Sequence, residues 1–406
     1  MPTTAGLDPP SHADSAAPRY AHPQESREGS RLEAGKPIRV VHLTSVHRAF
    51  DVRIFHKECR TLAASGYDVT LVAPHDRDET RDGVVIRAVR QPRSRRERFL
   101  YTGREIYKTC MEQDADVYHF HDPELMPVAI LLKLHGKRVV YDVHEDYPAA
   151  MYDKHWLPRV LRPAVATGVR AGQAAMTTAC DQIVAATPAI ATRFSREKTT
   201  VVQNFPWREE FASGPGQDYQ AREPIALYAG GIAPLRGLRE MLSAIIVASR
   251  DLPAKLVLAG PAGPDLQAEI VEAGPAVEYR GMLGRSELAQ EIARARMGLV
   301  LFHPCRNHLN SQPNKLFEYM SAGLPIIASD FPLWRELVCD TQCGLLVDPL
   351  DPAAIADAIT WILRHPQEAE QMGRNGRRAV AEKYNWERES ANLLAVYAAI
   401  GRRTRA

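Results

Sequence analysis

Two stretches of the chain carry residue types suited to holding an anionic, hydroxyl-rich ligand. In QPNKLFEYMSAGLPIIASD (312–330) a proline and Lys315 open a short helix that stops at Gly323, with Glu318 as the acid inside it. Pro313 suits a first helical turn, where its missing N–H costs nothing. Free backbone N–H groups and the positive end of the dipole make such a start an anion site, and Lys315 adds a full charge there. Glu318 falls about one and a half turns in, where a carboxylate can bond vicinal hydroxyls such as those of a ribose. The plainer reading of Glu318 is an acid that favours a helix N-terminus. In LYAGGIAPLRGLREML (227–242) a strand runs into a Gly-Gly turn, and Arg236 follows just before the next helix. Glycines admit close backbone approach, and a guanidinium grips phosphate oxygens in pairs. The spacing differs from the G-x-G-x-x-G dinucleotide fingerprint. An ordinary strand–turn–helix with a solvated arginine is the alternative.

A third group is rich in histidine. YHFHDPELMP (118–127) and YDVHEDYP (141–148) set His119, His121 and His144 beside Asp122, Glu145 and Asp146. No metal site is expected from them, on the reading that the i, i+2 pair His119 and His121 points to opposite faces. A histidine oriented by a carboxylate and bonding a substrate hydroxyl is the favoured role. A fourth stretch, HRAFDVRIFHKECRTLAASGYDVTLVAP (47–74), feeds a helix opened by Asp51 and Arg53, read as a cap and a surface charge.

The elements that must position these residues alternate regularly. Strands are expected at 38–43, 68–73, 84–89, 116–120, 138–143, 182–186 and 199–203, with helices at 53–65, 124–135 and 158–178. After NFPWREEFASGPGQDYQAREP (204–224), which has no period, the rhythm restarts with strands at 225–229, 255–259, 276–280, 297–302, 325–328 and 344–347. Near-continuous apolar strands separated by helices mean parallel sheets covered on both faces. The fold class expected is therefore α/β, with two doubly wound Rossmann-like domains facing a central cleft. The domains are placed at 37–205 and 206–385, and a helix at 386–402 is expected to pack back on the first. Ligands of such sheets bind beyond the carboxyl ends of the strands.

Composition narrows the function classes. The 406 residues carry a formal net charge of +2 with 25% charged side chains, which favours neither a nucleic-acid partner nor an acidic solvating chain. No apolar run approaches the roughly 18 residues needed to span a bilayer. Residues 1–36 are rich in Pro, Ser, Ala and mixed charge and read as a disordered leader without a secretory h-region. The six cysteines show no metal-ligand spacing, and reduced thiols in a cytoplasmic protein are expected.

Taken together, LFHPCRNHLNSQPNKLFEYMSAGLPIIASD, YAGGIAPLRG, YHFHDPELMP, YDVHEDYP, VVQNFP and the ending GLLVDPLDPAAIADAI … MGRNGRRAVAEKYNW resemble the retaining nucleotide-sugar glycosyltransferases of family 4, with the GT-B fold. The resemblance covers about residues 37 to 400. It implies transfer of a sugar from a nucleoside-diphosphate donor to a glycan or lipid-linked acceptor, with retention, no metal and no further cofactor. The second glutamate of the family's E-x7-E pair, which meets the ribose, is Glu318. The first falls at Asn310, where an amide replaces the carboxylate. The family's phosphate-binding Arg and Lys align with Gly231 and Arg236, so only the second cation survives, as Arg236, with Lys315 and the helix N-terminus as the expected compensation. The glycine-rich loop after the first strand is replaced by TSVHRAF, with Ser45 and His47 at the glycine positions. His144 corresponds to the histidine near the reacting sugar, while His47, His121 and Asp122 are assigned to the acceptor side of the cleft. Rival readings are an NAD-dependent oxidoreductase, a nucleotide-sugar epimerase of similar fold, and a GT-B protein that binds a nucleotide without turnover.

Two basic segments bear on the acceptor. KHWLPRVLRPAVATGVRAGQ (154–173) has Lys154, Arg159, Arg162 and Arg170 and no acid, with an apolar stripe through Trp156, Leu157, Val160, Leu161, Ala164 and Val165. RAVRQPRSRRERF (87–99) sets six arginines against one glutamate. Such segments suit an anionic membrane surface, where a lipid-linked acceptor resides. The alternative is a core-facing helix with a solvated basic face.

Overall fold

The computed structural model describes residues 36–404 except 93, 95, 96, 98–100, 154–156 and 212–217. The expected leader therefore lies outside the described residues, Lys36 excepted, as do Lys154, Trp156 and four of the arginines of 87–99.

Apolar runs such as VYHF, IALYA and MGLV form strands with every residue buried. The first sheet contains β1 (Arg39–Leu43), β2 (Asp68–Pro74), β3 (Glu79–Arg81), β4 (Val84–Val89), β5 (Val117–Phe120), β6 (Arg138–Val143), β7 (Gln182–Ala185) and β8 (Thr199–Val201), in the order β3-β4-β2-β1-β5-β6-β7-β8. All pairings are parallel except β3 with β4. The short polar β3, ETR, lacks any apolar signal and is absent from the sequence expectation. The second sheet holds β9 (Ile225–Ala229), β10 (Lys255–Ala259), β11 (Val277–Gly281), β12 (Met297–Val300), β13 (Ile326–Ser329) and β14 (Gly344–Val347), all parallel, ordered β11-β10-β9-β12-β13-β14.

Both orders reverse direction in mid-sheet, between β1 and β5 and between β9 and β12. Such switch points leave a crevice at the carboxyl ends of the flanking strands. The loops that leave these four strands are 44–53, 121–125, 230–237 and 301–313, which carry His47, His121, Asp122, Gly231, Arg236 and Asn310 and lead into the helix of Lys315 and Glu318, while His144 follows β6 beside them.

The Trp386–Thr404 helix lies on the first sheet. Leu393, Val396, Tyr397 and Ile400 are buried in one cluster with Val40, Leu71, Val117 and Val140, and the Trp386 indole donates to Thr61 Oγ1 at 2.9 Å. The segment expected as a helix over 53–65 opens instead with a widened turn, Ile54–Cys59, in which Glu58 N–H donates to the Arg53 carbonyl five residues back. An α-helical turn, Arg60–Ala64, follows. The basic helix begins at Arg162 and runs to Thr177. Ahead of it Leu157 is buried, but Val160 is 86% and Leu161 50% exposed, so these two do not face a core. Among the described residues no helix is long and apolar enough to cross a membrane, and all six cysteines are free.

Candidate active site

The donor-side residues converge on the glycine turn after β9. Gly230 has φ +128°, open to glycine alone at little strain, and a Cβ there would come within 2.9 Å of Lys315 Nζ. The Gly231 carbonyl accepts from Arg236 Nη1 at 3.0 Å and from the Tyr228 hydroxyl at 2.9 Å. Gly231 thus supplies backbone rather than charge. Lys315, at the second position of the Asn314–Ser321 helix, donates to Tyr228 Oη at 3.2 Å and lies 4.2 Å from that ring's centre. Burial, then the nearby Arg236 charge, push its ammonium down to about 7, against the pull of Glu318. Two cations so close, with little to neutralise them, form a setting that favours an anion. Pro313 is the N-cap, and no side chain caps the helix, so its first N–H groups stay available.

Glu318 is buried, and its Oε1 accepts from Arg285 Nη1 at 3.0 Å. Arg285 also pairs with Glu210. Sequence reasoning missed Arg285 because it opens a helix, Arg285–Arg294, well separated along the chain. Asn310 follows the short Arg306–Leu309 turn and is exposed, its side chain without a hydrogen bond among the described residues.

On the opposite lobe, Asp122 organises the loop after β1. Its Oδ2 accepts from Thr44 Oγ1 at 2.8 Å, from Ser45 N at 2.6 Å and from Ser45 Oγ at 3.2 Å. This clamp shapes the loop that lacks glycines. His47 lies between Asp51, 3.4 Å from Nδ1, and Asp122, 3.5 Å from Nε2. Burial opposes its charge, but the Asp51 hydrogen bond and the surrounding carboxylates raise its pKa. His144 Nε2 is 2.8 Å from Asp142 Oδ2, and its ring lies 5.2 Å from that of His47. His121 is fully buried, and desolvation drives it down to about 4 in spite of Asp142.

Two sequence readings are corrected here. His119 and His121 do not diverge: their rings stack 4.9 Å apart, and both pack against His42. Residues two apart on a strand share a face, so the sequence argument against a histidine cluster had the geometry reversed. Arg53 is not a surface charge. It is buried, with Nε and Nη2 each 2.8 Å from Asp142. That pairing holds the Asp142 carboxyl well below its usual range, although burial pushes the other way. Asp142 itself, the anchor of His144, went unnoticed within the apolar run RVVYDV; its position beside a candidate histidine was the available signal.

The two lobes meet around these groups. Gln203 donates to Gln312 at 2.6 Å, and Arg306 stacks 4.3 Å over the Tyr152 ring. The loop that carries Asn310 therefore abuts the segment following His144. Lys57 reaches Asn204 Oδ1 at 2.6 Å and feels the charges of Arg285 and Glu318.

Comparison with known proteins adds an independent line. A family model described as glycosyltransferase family 4 matches residues 52–205, and one described as glycosyl transferases group 1 matches 223–365. The chain is 28% identical over 278 residues to D-rhamnosyltransferase WbpZ of Pseudomonas aeruginosa, covering 64% of this chain and 68% of that protein. It is 24% identical over 300 residues to the GDP-mannose:cellobiosyl-diphosphopolyprenol alpha-mannosyltransferase of Xanthomonas oryzae, covering 70% and 74% respectively. Some other relatives are matched over less than half of their own length. Among solved structures, sucrose-phosphate synthase from Thermosynechococcus elongatus superposes with a TM-score of 0.71 at 18% identity, over 90% of this chain and all of that one.

Proposed function

From a chain that belongs to the family 4, group 1 glycosyltransferases, we propose a sugar transfer from a nucleoside-diphosphate sugar to a lipid-linked or glycan acceptor, with retention of configuration. The carrying observation is the joint placement of Arg236, Lys315 and an uncapped helix start around the Gly230–Gly231 turn. These groups take the diphosphate, whose negative charge grows as the sugar–oxygen bond breaks. Because two protein cations and a helix dipole meet that charge, the transfer step needs no metal at the diphosphate. Glu318 exchanges Arg285 for the ribose hydroxyls. Asn310 faces the sugar as an amide donor and acceptor in place of a carboxylate. His144, oriented by Asp142, sits at the reacting centre, and the departing diphosphate accepts the acceptor proton.

The acceptor reading draws support from two sources. One relative is named for a diphosphopolyprenol-linked substrate. The exposed Val160 and Leu161 follow the exposed Arg159, with Arg170 exposed further along the same basic segment, an apolar edge in a basic stretch that suits peripheral contact with an anionic membrane. Single-turnover assays of the full chain with UDP-, GDP- and ADP-sugars test the donor reading. Transfer or hydrolysis of one donor, with the anomeric configuration of the product retained by NMR, is expected. Inert donors throughout would leave a nucleotide-binding protein, and an inverted product would remove the retaining mechanism.

A further inference from the structure

Behind the acceptor-side wall lies a group of side chains that the proposed transfer does not use. His42 on β1, His119 on β5, His121 just after β5 and Glu58 on the widened turn each present a ligating atom, all within 4.8 Å of one another and all fully buried. Their orientation is systematic. His42 Nε2 meets the Tyr397 hydroxyl at 3.1 Å, and His119 Nδ1 meets the same hydroxyl at 2.8 Å. His121 Nδ1 lies 3.2 Å from Asp142. One nitrogen of each ring is thus held by an outer partner, and the other, His42 Nδ1, His119 Nε2 and His121 Nε2, is turned toward a common centre. His42 Nδ1 and His121 Nε2 share a hydrogen bond at 2.9 Å, while His119 Nε2 and Glu58 Oε2 have no hydrogen-bond partner among the described residues. Glu58 Oε1 faces Arg53 Nε at 2.9 Å, which leaves Oε2, 3.9 Å from His42 Nδ1, turned inward.

Buried polar atoms left unsatisfied are rare and call for a cause. Imidazoles that give one nitrogen to a metal and the other to a hydroxyl or carboxylate show this same division of roles. We propose that His42, His119, His121 and Glu58 form a four-coordinate site for a divalent transition metal, zinc by its ligand chemistry. Three imidazoles and one carboxylate suit Zn2+ in tetrahedral geometry, at about 2.0–2.2 Å per bond. The site is sealed from solvent and has no open position for substrate, which marks it as structural. The five-residue-back hydrogen bond at Glu58 explains how a carboxylate from that turn reaches the sheet. Such local widening of helices recurs at functional positions. The metal ties β1, β5 and the Ile54–Cys59 turn together and, through Tyr397, fastens the Trp386–Thr404 helix to the first sheet. This inference stands apart from the sugar-transfer reading.

The test is metal analysis of the full chain purified without chelators. About one zinc per chain is expected. The chelated protein should take up Co2+ with the intense visible absorption of a tetrahedral centre, and its thermal midpoint should rise when Zn2+ is added back. His119→Gln should cut the bound zinc by tenfold or more. His144→Gln, which breaks the neighbouring His121–Asp142–His144 group, should retain it. If His119→Gln does not fold, the cobalt titration of the unaltered chain decides by itself. Substoichiometric metal with no tetrahedral cobalt spectrum would overturn the proposal, as would zinc that is lost with His144 and kept with His119→Gln.

Discussion

At the residue scale the donor site rests on charges held in unequal environments. Glu318 is shared between Arg285 and the expected ribose, and Arg285 has Glu210 as a second partner. Glu318→Ala should therefore leave the fold intact while weakening donor binding by about 1.5–3 kcal/mol, the value of a hydrogen bond to a charged group. Calorimetry with the active nucleotide sugar measures this; unchanged affinity would reduce Glu318 to a helix-terminus acid. Lys315 makes a pH prediction. Its free-state value of about 7 lies below that of an ordinary lysine, and a bound diphosphate favours the charged form. Donor affinity should be full below pH 7 and should fall by up to tenfold per unit as pH rises above it. Lys315→Met should bind weakly with a flat profile from pH 6 to 8.5. A flat profile in the unaltered protein would mean that the lysine does not meet the donor.

At the scale of elements, the site depends on glycines that let two backbones touch. A Cβ on Gly260, where φ is +144°, would sit 2.1 Å from the Gly230 carbonyl oxygen. Gly260→Ala should displace the turn that seats Lys315 and Arg236, raising the donor Kd tenfold or more with little change in the first lobe. Binding equal to that of the parent would show that the turn adapts freely. The strand–helix alternation behind this geometry was legible in the sequence because buried parallel strands are near-continuous apolar runs. β3 was not, since three polar residues on an edge carry no periodic signal. Lys315, Arg236 and Glu318 were found from helix-start and glycine-turn chemistry, which is local. Arg53, Asp142 and Glu58 were misread or passed over because a buried charge is recognisable only through partners distant in sequence, as Arg53 and Asp142 are. Asp122 was noticed for its neighbours, but its grip on Ser45 needed β1 and β5 side by side.

At the scale of the whole molecule, two switch-point crevices belong to lobes that touch through polar and ring contacts such as Gln203–Gln312 and Arg306 on Tyr152. Interfaces of that kind allow relative movement of domains. The exposed Val160 and Leu161 lie on the first lobe, so membrane contact there would leave the second lobe free to exchange donor. Replacing both with aspartate should abolish flotation with anionic liposomes at low salt while keeping donor hydrolysis. Flotation equal to that of the parent would move membrane contact elsewhere or remove it.

The helix Trp386–Thr404 gives the first lobe a wall made from the far side of the second. A ribosome therefore exports the first sheet with part of one apolar face, beyond the cover of Ile54, Phe55 and Leu62, still bare, and must finish the donor lobe before that part is sealed. Nascent-chain folding should be completed late, and a fragment cut after residue 205 should aggregate, whereas the same fragment supplied with the detached helix as a peptide should become soluble.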